Sequence, residues 1–303
     1  MNGKIKLSTL APAKINLFLE ITGRRDDGYH DLTSIMQSVS LADRVTLTLS
    51  DTGTEENKIS ITCSDKAIPT DSGNIAAKCA LAYFGFYGIR GRLAEIDIVK
   101  NIPSSGGLAG GSSDGAAVLR LLDDVFGRAA SYSELLKLGG SVGADIPFCL
   151  TGGCALCRGI GDKVESLTVP ERDYGIIILS SGESVSTPSA YALCDEVSAD
   201  NSSPRGAYAA LTDELTSGRL PRSLFNSFER VILPLRPGAD ELKKRVLSLG
   251  AYSAMMSGSG PSVFGIFDER DTLEAAYRAL TESGAKAYKC SPVYDKPNIT
   301  YIK

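Results

Sequence analysis

The chain carries one glycine-rich segment that stands apart from the rest, Pro103-Ser104-Ser105-Gly106-Gly107-Leu108-Ala109-Gly110-Gly111-Ser112-Ser113. Glycines let backbone N–H groups converge on one point, because no Cβ obstructs them. The segment runs into apolar residues at helical spacing, which predict an amphipathic helix over 112–126. The first N–H groups of a helix have no partner within it, and the helix dipole favours anions. The segment therefore predicts a phosphate-binding loop.

Neither of two common nucleotide motifs describes this loop. A Walker A loop would continue with Gly-Lys-Ser/Thr, and a dinucleotide-binding loop would have the spacing G-x-G-x-x-G; the segment has neither. A flexible turn with an ordinary serine cap is the alternative interpretation, which two glycine pairs and a double serine disfavour. A second Gly/Ser loop, Ser257-Gly258-Ser259-Gly260-Pro261-Ser262, lies between two predicted strands. Alone it would be a hairpin turn, but paired with the first loop it favours a ligand site.

The composition is that of a globular protein. Among 303 residues, 32 Lys and Arg stand against 36 Asp and Glu, giving a net charge of −4, and 43% are hydrophobic. That apolar content excludes disorder, and the acidic balance argues against nucleic acid or an anionic membrane as the main partner. Apolar runs fall short of the ~20 residues of a membrane span, and we expect no secretory signal before Leu10. We therefore expect a cytoplasmic protein.

The cysteines do not suggest a disulfide framework. There are seven, an odd number, and they are scattered along the chain. Cys154 and Cys157 form a C-x-x-C pair, but a zinc site would need further ligands, and the chain has one histidine and no second such pair. We interpret the pair as small apolar residues on a strand.

The pattern of apolar residues predicts an α+β fold. Alternation predicts strands over 13–22, 44–50, 59–63 and 93–100, and Asn74 is the expected N-cap of a helix that ends at Phe86. The last third has a β-turn-β-α-β order, typical of an antiparallel sheet backed by helices. Because single cores rarely outgrow about 250–300 residues, we predict two domains, residues 1–167 and 168–303.

Three motifs resemble the superfamily of galactokinase, homoserine kinase, mevalonate kinase and phosphomevalonate kinase, the GHMP kinases. They are the glycine-rich loop, residues 11–17 (Ala-Pro-Ala-Lys-Ile-Asn-Leu), and residues 256–261 (Met-Ser-Gly-Ser-Gly-Pro). Residues 23–30 and 143–148 resemble, within it, the family of 4-diphosphocytidyl-2-C-methyl-D-erythritol kinases. The resemblance implies an N-terminal ribosomal-protein-S5-domain-2-like domain and a C-terminal ferredoxin-like domain. Ala109 departs from it, since many relatives have glycine there.

The resemblance implies where ATP would bind. Its phosphates would lie on the glycine-rich loop, residues 103–113, and its nucleoside near Asn74 and Lys100. The Ser113 hydroxyl is a candidate contact of Mg²⁺. For Asn74, a plain helix cap is an equally good interpretation, and both can hold.

The same resemblance implies the catalytic pair. Asp145 would be the general base that accepts the proton of the attacking hydroxyl, although without the family it would be a turn or N-cap aspartate. Lys14 would be its electrostatic partner, keeping Asp145 ionised and stabilising charge on the transferred group. A lysine there could instead reach solvent. Strand alternation puts Lys14 and Asn16 on one face, however, which favours a polar site.

The remaining implied residues bind the acceptor, a small molecule in which methylerythritol is linked to cytidine diphosphate. His30 would read cytosine by hydrogen bonds, and Tyr29 and Tyr191 would stack on it, with Asn16 and Thr187 nearby. Tyr191 as a helix core residue is the alternative. The implied reaction is phosphorylation of the 2-hydroxyl of this acceptor, in the non-mevalonate synthesis of isoprenoids. A kinase for another acceptor, such as mevalonate or homoserine, and a non-catalytic relative stay open.

Overall fold

A computed structural model describes residues 4–104, 106–127, 130–196 and 203–302. Within them, eight strands form the larger of two sheets. These strands are β1 (Ile5–Arg24), β2 (His30–Asp51), β3 (Lys58–Cys63), β4 (Arg92–Val99), β5 (Cys154–Gly159), β6 (Lys163–Ser166), β8 (Phe225–Asn226) and β12 (Thr300–Tyr301). Along the sheet the order is β12-β1-β2-β4-β3, with β5 and β6 continuing from β2 and β8 parallel to β1. The long antiparallel pair β1 and β2 is its centre.

The smaller sheet has four strands in the described residues, and all its pairs are antiparallel. Its order is β11-β7-β10-β9, with β7 (Gly175–Ser180), β9 (Ser253–Met256), β10 (Val263–Phe267) and β11 (Lys286–Cys290). The short strands β8 and β12 follow residue 168 yet pair with β1. The later part of the chain thus completes the larger sheet, and the boundary between residues 167 and 168 stays a prediction.

The helices among the described residues surround these sheets. They are α1 (Ile75–Phe86), α2 (Gly110–Val125), α3 (Tyr132–Val142), α4 (Ile146–Thr151), α5 (Thr187–Glu196), α6 (Ala207–Thr216), α7 (Glu229–Ile232), α8 (Pro237–Ser248) and α9 (Arg270–Glu282), with a 3₁₀ turn at Leu233–Leu235. Their bounds agree with the sequence pattern for α1, whose N-cap is Asn74. None of these helices is long and apolar enough to cross a membrane.

Three apolar layers explain why both sheets are so hydrophobic. Helices α1 to α4 share one core with β1, β2 and β4. A second core lies between the two sheets, where Ile176 and Ile178 of β7 meet Ile15 of β1. Ile177 and Leu179 point the other way and pack under α8 and α9. Because both faces of β7 are covered, its residues 176–179 are all apolar instead of alternating with polar ones.

Bulges in β1 prepare the site. Its register against β2 shifts between Pro12 and Lys14 and again between Asn16 and Phe18. After the second shift, Leu17 and Phe18 both contribute to the core between the sheets, while Lys14 and Asn16 share the other face. Bulges redirect side chains at functional sites, and here they leave two polar residues beside the glycine-rich loop.

Gly265 of β10 allows α8 to lie directly on the smaller sheet. A Cβ at this position would stand 2.6 Å from Val246 Cγ2 and 3.2 Å from Ala251 Cβ. We expect Gly265→Ala to lower the free energy of unfolding by about 1–3 kcal/mol, because the helix must move. Urea denaturation followed by circular dichroism measures this change.

The matched control is Gly85→Ala in α1, where a Cβ would meet nothing within 4 Å. Alanine favours helix over glycine by about 1 kcal/mol, so this variant should keep or gain stability. Adding Val246→Ala to Gly265→Ala should restore part of the loss. Equal stabilities of the two alanine variants would contradict the close contact of α8 with β10.

Candidate active site

A cavity of about 1070 Å³ runs along the junction of the two sheets. The middle of β1, the glycine-rich loop, the start of α2, the loop before α4, the helix α5 and the second Gly/Ser loop all line it. Of the residues predicted from the sequence, the structure brings Lys14, Asn16, Tyr29, His30, Asn74, Lys100, Pro103, Ser104, Gly106, Gly107, Leu108, Ala109, Gly110, Gly111, Ser112, Asp145, Thr187 and Tyr191 to its wall. Ser105 lies outside the described residues.

The glycine-rich loop leads into α2 without a side-chain cap. Ala109 occupies the N-cap position in the left-handed region, at φ 57°, and the first turn of α2 has no acidic residue. The first N–H groups of this helix therefore meet the cavity without a carboxylate to compete for them. A left-handed alanine is unusual among non-glycine residues, which agrees with the glycine expected at this position. These features agree with the predicted anion site, which stays a prediction.

The two Gly/Ser loops are in direct contact. A Cβ at Gly107, whose φ is +76°, would overlap the carbonyl oxygen of Ser257. The Ser257 hydroxyl donates to the Gly107 carbonyl at 3.0 Å, and the Lys14 amide donates to the Leu108 carbonyl at 3.1 Å. Strand β1 and the second loop thus hold the first loop between them.

Ser113 does not meet the cavity. Its hydroxyl donates to the Pro12 carbonyl at 2.7 Å, and only 2% of the residue is exposed. The structure therefore gives no support to Ser113 as a contact of Mg²⁺; its side chain instead ties α2 to β1. Among the described residues, no group of three or more His, Cys, Asp or Glu could hold a metal ion.

Lys100 is committed to two carboxylates. Its ammonium donates to Asp43 and, at 2.8 Å, to Asp114 of α2, and all three side chains are buried. The other oxygen of Asp43 accepts the amides of Asn101 and Ile102. Burial would lower the pKa of Lys100, but Asp114 and Asp43 raise it above its usual value. This cluster fixes the start of the glycine-rich loop, and it explains why Lys100 lies at the cavity.

Asn74 is a helix cap with both ends of its side chain engaged. Its Oδ1 accepts the Ala76 amide at 2.8 Å, and its Nδ2 donates to the Pro69 carbonyl at 2.7 Å. Asn74 therefore caps α1, as one interpretation expects, and its contact with a nucleoside stays a prediction. Ile68 and Pro69 line the cavity beside it, so Asn74 also holds an apolar part of the wall.

Lys14 and Asp145 share the cavity but form no ion pair within the described residues. The Lys14 ammonium donates to Asn16 Oδ1 at 2.6 Å, and Asn16 in turn donates to the Ser34 hydroxyl at 2.9 Å. Asp145 is the N-cap residue of α4, yet its side chain caps nothing. Burial raises the pKa of the nearby Cys157 thiol, the charge of Asp145 adds to the rise and the charge of Lys14 opposes it. Both side chains line the cavity, and no hydrogen bond or ion pair from the described part of the chain engages the Asp145 carboxylate.

His30 is held by α5. Its Nε2 lies 2.7 Å from Asp195 Oδ1, and its ring stacks on Tyr191 with centroids 4.5 Å apart. Tyr191 also packs edge-to-face on Phe228. Tyr29, by contrast, is 61% exposed. The structure thus stacks Tyr191 on His30, a ring contact that the sequence did not predict, and exposed Tyr29 lines the same cavity.

Known proteins resemble the chain along most of its length. The GHMP kinases N terminal domain matches residues 74–153, and the GHMP kinases C terminal domain matches residues 206–286. A 4-diphosphocytidyl-2-C-methyl-D-erythritol kinase of Clostridium kluyveri is 39% identical over 88% of this chain and 93% of its own. The one of Syntrophotalea carbinolica is 40% identical over 95% of this chain and 99% of its own.

The chain belongs to the 4-diphosphocytidyl-2-C-methyl-D-erythritol kinase family. The resemblance seen in the sequence is confirmed, and the chain is a kinase with the two-domain α+β fold of the GHMP kinases. A crystal structure of 4-(cytidine 5'-diphospho)-2C-methyl-D-erythritol kinase superposes with a TM-score of 0.78, at 31% identity, over 95% of this chain and all of that one. A homoserine kinase from Cytophaga hutchinsonii shares the fold, with a TM-score of 0.74 at 23% identity over 100% of this chain and 98% of that one.

Three residues of this kinase were missed by sequence reasoning. Asp43 and Asp114 lie 57 and 14 residues from Lys100, and no local pattern relates them. Asp195 follows Tyr191 by one helical turn on α5, a spacing that puts both on one face. That spacing is the only signal that points to any of the three.

The buried cluster makes stability depend on pH. Burial raises the pKa of Asp114 to about 7, Asp43 adds to the rise and Lys100 opposes it. The folded state thus binds this proton more tightly than the unfolded state. The stabilisation that this proton gives to the folded state is complete below about pH 4 and is lost as pH rises through about 7. We expect Asp114→Asn to gain in unfolding free energy relative to the parent chain from pH 4 to pH 8, by on the order of 1 kcal/mol.

Denaturant titrations across this pH range measure the difference. Asp26→Asn, at an exposed turn, reports the effect of removing one carboxylate from the surface. If the stability difference between Asp114→Asn and the parent stays constant or falls as pH rises, the raised pKa of Asp114 is refuted.

Proposed function

We propose that this kinase transfers the γ-phosphoryl group of ATP to the 2-hydroxyl of 4-(cytidine 5'-diphospho)-2-C-methyl-D-erythritol, in the methylerythritol phosphate route to isoprenoid precursors. One observation carries the proposal: the anion-binding loop, the pair Lys14 and Asp145, and the cluster around His30 line one continuous cavity. A transfer reaction needs donor, acceptor and catalytic groups in one enclosure. The names of the relatives supply the acceptor.

In this proposal, the glycine-rich loop and the start of α2 hold the triphosphate. ATP supplies the phosphoryl group, and the amides of Gly110 and Gly111 meet its phosphates with the dipole of a 16-residue helix behind them. Lys100 contributes indirectly, by fixing the start of the loop, because Asp43 and Asp114 already offset its charge. Mg²⁺ as the companion of ATP belongs to the proposal, with no protein ligand assigned to it.

Asp145 is the proposed general base. Its carboxylate has no capping duty, so it is free to accept the proton of the acceptor hydroxyl as the new bond to phosphorus forms. Lys14, only 4% exposed, would stabilise negative charge on the acceptor oxygen and the transferred group. Asn16 and Ser34 orient that ammonium. Electrostatic stabilisation of this kind is effective where water is excluded.

The cytidine end of the acceptor would lie at the other end of the cavity. Tyr29 ends the turn between β1 and β2, and His30 is the first residue of β2. Thr187 links α5 to the second loop through a 3.2 Å contact with the Ser259 hydroxyl. Hydrogen bonds to a base give far stronger discrimination than stacking alone. His30 is therefore the proposed reader of cytosine, and exposed Tyr29 its stacking platform.

A kinase for mevalonate or homoserine is the second candidate, because those kinases share the fold. Purified protein assayed for ADP release with all three acceptors separates the candidates. Phosphorylation of mevalonate but not of the cytidyl compound would overturn the proposal. Binding of both ligands without ADP release would identify a non-catalytic relative.

The catalytic pair is tested by Lys14→Met and Asp145→Asn. Each should lower kcat by at least about 10²-fold, because one removes charge stabilisation and the other the base. Steady-state assays give kcat, and circular dichroism checks that the fold is retained. Lys137→Met, at an exposed position of α3, is the control for losing a lysine. A kcat within a factor of three or so of the parent in either active-site variant would remove that residue from the mechanism.

The proposed recognition of cytosine by His30 is tested by His30→Ala. We expect the KM for the cytidyl substrate to rise about tenfold, because a hydrogen bond to the base is lost, while the KM for ATP stays nearly unchanged. Measuring both constants in the same preparation provides the internal control. A large loss of ATP binding would contradict a role confined to the cytidine end.

A further inference from the structure

Asp195 is the residue that fixes the orientation of His30. One carboxylate oxygen lies 2.7 Å from His30 Nε2, and the other is 3.1 Å from an Arg24 nitrogen. Tyr191, one turn earlier on α5, stacks on the same imidazole at an interplanar angle of 15°. His30 is only 7% exposed, and Asp195 is 30% exposed. The ring is thus held by its face and by one nitrogen, both from a single helix.

This contact determines which atoms of His30 remain for a ligand. A carboxylate only accepts hydrogen bonds, so Nε2 must carry a proton to bind it. In the neutral imidazole, Nδ1 is then an acceptor. The described residues offer Nδ1 no hydrogen bond, and His30 lines the cavity. In metal sites, a carboxylate that binds the second nitrogen of a ligating histidine sets its tautomer and ring orientation. Asp195 makes the same kind of contact with His30.

We propose that Asp195 is a positioning residue for base selectivity, which fixes His30 in the Nε2–H form so that Nδ1 accepts from the exocyclic amine of a 4-aminopyrimidine. This inference rests on the proposed function. Cytosine presents an N4 amine at that edge, whereas uracil presents the acceptor O4. An acceptor facing an acceptor leaves both unpaired, which is costly in a buried site. Asp195 therefore favours cytidine over uridine without touching the base.

The tautomer can be observed directly, because His30 is the only histidine in the chain. Histidine labelled with ¹⁵N, in protein produced without a histidine tag, gives the NMR signals of one imidazole. At a pH where the ring is neutral, we expect the proton on Nε2, with an N–H signal protected from exchange with water. A proton on Nδ1 would overturn the proposal. This measurement needs no variant and no activity.

Two variants test the consequence. Asp195→Ala should lose the protected N–H signal, raise the KM for the cytidyl substrate at least roughly fivefold and leave kcat and the KM for ATP nearly unchanged. Asp195→Asn, which keeps an acceptor oxygen, should fall between this variant and the parent. Glu196→Ala, exposed on the same helix, is the matched control.

Binding of cytidine diphosphate and uridine diphosphate, measured by calorimetry, separates this proposal from the proposed function. We expect the parent chain to favour the cytidine compound, and Asp195→Ala to reduce that preference at least roughly fivefold. An unchanged preference would overturn the role of Asp195, even if the enzyme phosphorylates the cytidyl substrate. Absence of turnover with that substrate would overturn the proposed function, while the binding and NMR results would still decide the role of Asp195.

Discussion

The site depends on the hydrogen bond from the Lys14 amide to the Leu108 carbonyl. This bond joins β1, which carries the Lys14 side chain, to the glycine-rich loop and fixes their relative position. The register of β1 against β2 shifts between Pro12 and Lys14, and at this shift the Lys14 amide bonds to the glycine-rich loop. The same residue therefore anchors the phosphate loop through its backbone and presents its ammonium to the cavity. Phosphoryl transfer relies on positioning and electrostatics. Because the residue whose amide anchors the loop also carries the ammonium, the loop and the charge keep a fixed relative position.

A close approach of backbones adds a second constraint. Gly107 lies against Ser257, and Gly258 lies so near that a Cβ there would stand 3.1 Å from the Gly107 carbonyl. Only glycine permits such contact between two loops that belong to different sheets. The glycines that suggested a phosphate site thus serve two purposes. They allow close contact between the loop that follows β4 and the loop between β9 and β10, and in the proposed function they leave amides free for an anion.

Much of this could be predicted from the sequence, for reasons that differ between residues. The α1 cap at Asn74, the helix after the loop and the shared face of Lys14 and Asn16 follow from local spacing, which the fold preserves. The contacts of Asp43 with Lys100 and of Asp195 with His30 could not be predicted, because the partners are remote in sequence and only the sheet and α5 bring them together. The stacking of Tyr191 on His30 was missed for the same reason: the resemblance suggested which rings take part, but not which ring touches which.

The two cavity lysines show why residue type alone does not define a role. Lys14 is buried, the Lys100 side chain is only 6% exposed, and both lie near the glycine-rich loop. Two carboxylates offset the charge of Lys100, so an arriving phosphate would gain little from it. Lys14 has an amide oxygen as its partner, which orients the ammonium without neutralising it. A buried cation with only neutral partners is costly for the fold and is stabilised when an anion arrives. That difference, invisible in the sequence, supports the proposal that Lys14 is the lysine that stabilises a transferred phosphoryl group.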